Sequence, residues 1–126
     1  DEIRSSLSDR YQLMPTDAIE RRTRFGYREV DGGGYRPLAD GAAMAETSNG
    51  LREDNQLALH NIAVPTMLVP GALSKFVSAD TFRRACGHRP DLPAVTVGDA
   101  DHYVPEEQPA EIARLIDEFT TEYDIA

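Results

Sequence analysis

The chain has 126 residues and a formal net charge of −9, with 22 acidic against 13 basic side chains. That balance excludes a nucleic-acid partner, because phosphate recognition needs a basic surface, and the length suits a modest core. The single cysteine, Cys86, rules out an internal disulfide; with no apolar run of membrane-spanning length and no visible secretory leader, a cytoplasmic location and no membrane partner are expected.

Residues 1–30 read as two polar helices. Ile3, Leu7 and Tyr11 recur at helical spacing. Pro15-Thr16-Asp17 interrupts the chain and restarts it, with Thr16 as N-cap, Ile19, Thr23 and Phe25 lining the second helix, and Gly26 ending it. Arg21, Arg22, Arg24 and Arg28 crowd this half, which has few large apolar residues and is expected to lie over something else. Tyr27-Arg28-Glu29-Val30 and Tyr35-Arg36-Pro37-Leu38 flank Asp31-Gly32-Gly33-Gly34, predicting a hairpin within 27–38, since Asp-Gly tolerates positive φ. The glycines do not make a phosphate loop: G-x-G-x-x-G fails at Pro37, and no strand–loop–helix follows. Residues 39–50 are small and polar, punctuated by Gly41 and Asn49-Gly50. Residues 51–60 predict a short helix carrying Leu51, Leu57 and Leu59. His60 has no companion at metal-ligand spacing and reads as a surface or capping residue.

From residue 61 the pattern is β-α-β-α. The run 64–69 is nearly continuous in apolar residues, as suits a strand buried on both faces, with Pro65 tolerable near its start. A loop over 71–74 leads to a helix capped by Ser78, with Asp80 in its first turn, Phe82, Ala85 and Cys86 as its inner stripe, and Gly87 as its stop. Cys86 has no base at a recognisable spacing and reads as a small buried apolar residue. Residues 92–97 form a second, β-branched strand. After the loop 98–105, a final helix begins at Glu106 or Pro109, with Ile112, Leu115, Ile116 and Phe119 on one face. Glu106, Glu107 and Glu111 read as a solvated, dipole-matched helix start. No zinc spacing occurs, so no metal and no cofactor is expected.

The candidate reacting group is His102, where the second strand gives out, because chemistry in an open parallel sheet gathers at the carboxyl ends of strands. Three stretches carry a family likeness: Ile62-Ala63-Val64-Pro65-Thr66-Met67-Leu68-Val69-Pro70-Gly71, then Asp101-His102-Tyr103-Val104-Pro105-Glu106-Glu107-Gln108-Pro109, then Ile112-Ala113 and Phe119. In order and spacing they resemble the carboxyl-terminal portion of the α/β-hydrolase fold family, over about residues 51–123. The resemblance implies an α/β fold in which the two strands are the last two of a parallel sheet. It implies 1–60 as the end of a mostly helical cap and 61–126 as the end of the core. It makes His102 the histidine of a nucleophile–acid–histidine triad, passing a proton between nucleophile, water and leaving group. The implied substrate is a small molecule with an ester, amide, epoxide, C–C or C–halogen bond.

Two departures accompany the likeness. The nucleophile elbow G-x-S-x-G is absent: Ser48-Asn49-Gly50 is half a match, with Glu46 where the first glycine belongs. Lys75 stands where many members carry the triad acid. Asp80 is better explained as a helix-start residue, and Asp99 and Asp101 as partners of the loop backbone. The simplest expectation is the carboxyl-terminal piece of a longer protein, inactive alone, needing the amino-terminal part of its own fold and prone to self-association. A non-catalytic binding or interaction protein with this fold is the alternative.

Overall fold

The computed structural model describes residues 2–51 and 56–124. Its contacts divide the chain into two compact units, Asp1–Asp54 and Asn55–Ala126.

The first unit pairs α1 (Glu2–Arg10) with α2 (Thr16–Phe25), followed by β1 (Tyr27–Glu29), β2 (Tyr35–Pro37) and α3 (Gly41–Gly50). Leu7, Met14, Ala18 and Ile19 are buried, and an Arg4–Glu20 ion pair at 3.0 Å crosses from α1 to α2. Thr16 is not the N-cap. Pro15 takes that position without a side-chain bond, and Thr16 opens the helix itself; a proline with its fixed φ suits a helix entry whose first N–H groups lack partners anyway. β1 and β2 pair antiparallel, with Tyr27 opposite Pro37 and Glu29 opposite Tyr35. Their turn uses φ of 91°, 90° and 99° at Gly32, Gly33 and Gly34, a region other residues rarely enter. The stretch 39–50, read as punctuation, is a helix. The Asp40 carboxylate accepts the N–H groups of Ala42 and Ala43, and Ala42, Ala43 and Ala45 have high helix propensity.

The second unit contains α4 (Gln56–His60), α5 (Ala79–His88), α6 (Val104–Glu107) and α7 (Pro109–Glu122). Of the helix predicted over 51–60, residues 52–55 lie outside the described residues, as does the side chain of Leu57. α4 groups with this unit, so the division comes earlier than the expected 60/61. The Arg89 guanidinium holds it there, donating to the carbonyls of Leu59 and Ile62 while clasping Asp91 with two bonds of 2.8 Å. His60 is exposed and meets the His88 ring edge-on at 5.3 Å. The Arg89 side chain lowers the Asp91 pKa by hydrogen bonding. A folded-state pKa below the unfolded one gives a contribution that is complete above the ordinary aspartate range and is lost as pH falls through the depressed value. Denaturant titrations should therefore show a flatter stability–pH profile for Asp91→Asn than for the parent below about pH 4.

The predicted strands appear as a parallel pair with a missing rung. Leu68 bridges Ala94 and Gly71 bridges Val97. The Leu68 N–H donates to Pro93, Val95 to Leu68, Val97 to Pro70, and Ala72 to Val97. The bond that would join Pro70 to Val95 needs an N–H that proline lacks, so regular strand geometry is interrupted although register is kept. The pairing runs to residue 72, later than the predicted 64–69, and Val64 is 68% exposed rather than buried.

Ser78 caps α5 through the Thr81 N–H. The helix passes Gly87 and ends at His88, just before Arg89-Pro90. Phe82, Ala85 and Cys86 are its half-buried face. The final helix is broken in two. Proline at 109 disfavours a helical conformation for the residue before it, and Gln108 sits at φ −132°, ψ 60°. The core consists of Val97, Ala100, Val104 and Leu115, flanked by Met67, Val69, Val95 and Ile112; Ile116, counted on the apolar face, is 55% exposed.

Candidate active site

Two loops leave the carboxyl ends of the parallel pair, 72–77 and 98–103, and they lie against each other. Gly71 makes the closest approach: a Cβ there would stand 1.9 Å from the Asp101 carbonyl oxygen and 2.5 Å from that of Ala100. The Leu73 N–H donates to the Ala100 carbonyl at 2.9 Å. The Asp101 carboxylate accepts the Lys75 N–H at 3.1 Å and lies 3.7 Å from the Lys75 ammonium. Lys75 is 83% exposed along its side chain, so the main-chain bond fixes geometry and the ion pair adds little.

The 98–103 loop is held equally firmly from its other side. Asp99 adopts φ 50°, a conformation aspartate tolerates better than most residues. Its carbonyl accepts the Gln108 side-chain amide at 3.1 Å. Glu107, 5% exposed, turns its carboxylate inward and accepts the Asp101 N–H at 2.6 Å. That corrects the expectation of a solvated helix start. Val104 and Glu107 lie three apart on a helical turn and so share a face, and Val104 is in the core. This spacing was the available signal for the buried carboxylate.

His102 follows Asp101 at the tip of this clamp, exposed to solvent. Its ring centroid lies 4.7 Å from that of Phe76 in the neighbouring loop, tilted by 50°, and 5.6 Å from that of Tyr103 at 74°. Phe76 has no counterpart in the sequence reading, because a ring contact across 26 residues leaves no local pattern. Lys75 engages Asp101 instead of the imidazole, and among the described residues no carboxylate bonds the His102 ring. Ser74, one turn before α5, accepts the Val77 N–H and so organises the Phe76 loop. Ser48 belongs to α3 in the other unit. Asp80 pairs with Arg83 and Arg84 on α5.

No family model matches the chain. A protein of Mesorhizobium japonicum, 2-(acetamidomethylene)succinate hydrolase, is 44% identical over 117 residues, which are 93% of this chain and 42% of that protein. A crystal structure of E-2-(acetamidomethylene)succinate hydrolase matches with a TM-score of 0.90 at 44% identity, over 94% of this chain and 44% of its own. The chain is a carboxyl-terminal part of the α/β-hydrolase fold. A thioesterase domain from the curacin biosynthetic pathway matches with a TM-score of 0.75 at 20% identity, over 91% of this chain and 42% of that domain, a likeness of fold alone. The chain thus spans less than half the length of the relatives it matches. Within the hydrolase fold, the paired segments and the loops beyond them are sheet tips, the place where such folds gather reacting groups. Among the described residues, no helix is long and apolar enough to cross a membrane.

Proposed function

We propose that the intact protein is a hydrolase acting on a small molecule, with His102 as the general base of a triad whose nucleophile and acid lie outside this chain. The observation that carries this reading is 44% identity across nearly the whole chain to a 2-(acetamidomethylene)succinate hydrolase. The exposed imidazole at the tips of the parallel pair supports the role: it is free to face a partner, and its loop is held by main-chain bonds. In that role it takes a proton as the nucleophile or water attacks and returns it to the leaving group. The first unit, Asp1–Asp54, is the end of a cap. The triad acid comes from an earlier strand, since Lys75 cannot stabilise an imidazolium. Exposed Val64, Leu73 and Ile116 belong to surface that the rest of the fold covers, which makes the isolated chain prone to self-association and inactive. The substrate is 2-(acetamidomethylene)succinate or a close amide-bearing dicarboxylate.

The test is consumption of that compound by the full-length protein. Its turnover supports the whole reading. Hydrolysis of simple esters without it keeps the hydrolase and removes the substrate. Failure with both classes favours the competing reading of a non-catalytic binding protein, for which the Lys75 pairing speaks. A G-x-S-x-G elbow in the upstream sequence would decide for the enzyme.

A further inference from the structure

We infer that Glu107 is the positioning residue for His102, acting through the main chain of Asp101. The inference rests on the catalytic reading of His102 given above. A carboxylate is costly to bury without partners, yet Glu107, 5% exposed, is the one acidic residue among the described residues that is buried. Its partner is not a cation but the N–H of the residue directly before the imidazole, at 2.6 Å. Charge-assisted bonds of this kind are short and roughly twice as strong as neutral ones.

Glu107 closes one side of a three-way hold on Asp101. The side chain of Asp101 holds the Lys75 N–H, and its carbonyl packs over Gly71. Among the described residues no hydrogen bond reaches the His102 ring itself, so its position follows from its backbone and from the Phe76 and Tyr103 rings. A carboxylate serving only to stabilise the fold could sit anywhere in the core. This one grips the Ala100–Asp101 peptide unit, the one just before the unit that carries His102.

The test uses the full-length enzyme and three substitutions. Glu107→Ala removes the acceptor. Glu107→Gln keeps an oxygen at the same reach without the charge. Glu107→Asp keeps the charge but withdraws it by one methylene. Misplacing a catalytic group by about 1 Å costs up to about 10²-fold, so Ala and Asp variants should lose roughly 10- to 100-fold in kcat with KM changed less than about threefold. The Gln variant should stay within about threefold of the parent on the same scale. If the Ala variant does not fold, the Gln–Asp contrast carries the test. Equal kcat in those two, parent-like kcat in Ala and Asp, or a loss confined to KM would overturn the inference. His102→Ala assayed alongside separates the two levels. An active His102→Ala enzyme removes the catalytic reading itself, whereas a dead one beside unaffected Glu107 variants removes only the positioning role.

Discussion

Replacing His102 with alanine in the full-length protein should lower kcat by about 10²- to 10⁴-fold, the range a positioned acid–base group contributes, and leave substrate affinity nearly unchanged. Exposure matters here as much as chemistry. The ring lies at the surface, against the Phe76 and Tyr103 rings, so its removal opens no core cavity. Surface substitutions of that kind usually stay within about 0.5 kcal/mol. A melting temperature close to the parent's, together with lost turnover and retained binding by calorimetry, is therefore the expected pattern. Steady-state activity at the parental level would refute the role. A large loss of stability would mean that the imidazole is structural and that its position at the sheet tips is incidental.

Gly71→Ala should be among the most damaging single-methyl additions available. The new carbon would stand 1.9 Å from one carbonyl oxygen and 2.5 Å from the next, and both belong to backbone that is itself hydrogen-bonded to Leu73 and Glu107, with the Asp101 side chain tied to the Lys75 N–H. No flexible side chain is there to swing aside. Overpacking costs about 1–3 kcal/mol and sometimes more, and the rigidity of this contact places the expectation at the upper end. Urea unfolding of the full-length protein measures it. Because the atoms displaced are those of Ala100 and Asp101, the folded fraction should also turn over more slowly than its population predicts. Parental stability in this variant would show that the loops can separate cheaply.

The parts legible in the sequence were those written in local periodicity or capping chemistry. The hairpin glycines, the Ser78 cap and the stripe of Ile112, Leu115 and Phe119 all express a preference within a few residues. The two parallel segments were readable as apolar runs, but not how they pair: the gap opposite Pro70 depends on which residue of the other segment it faces. The α3 helix was missed because its small residues offer no apolar stripe; the Asp40 side chain and alanine propensity suffice without one. Around His102 the histidine itself was conspicuous and its support was not. Glu107 resembles any acidic residue at a helix start until the turn beginning at Val104 rotates it inward. Gly71 resembles any turn glycine until a second loop is laid over it. Phe76 became visible only when two loops 26 residues apart were brought together.

The hold on Asp101 has a consequence for how this part of the protein can diverge. Surface loops ordinarily absorb insertions with little penalty. Here the N–H groups of Ala72 and Leu73 donate to the carbonyls of Val97 and Ala100, and that of Lys75 to the Asp101 carboxylate, so lengthening either segment alone would shift the match and carry the imidazole with it. Natural length variation should therefore accumulate beyond this stretch, in the hairpin turn or near residues 88–92, and the spacing from Gly71 to His102 should change only through the α5 region between them.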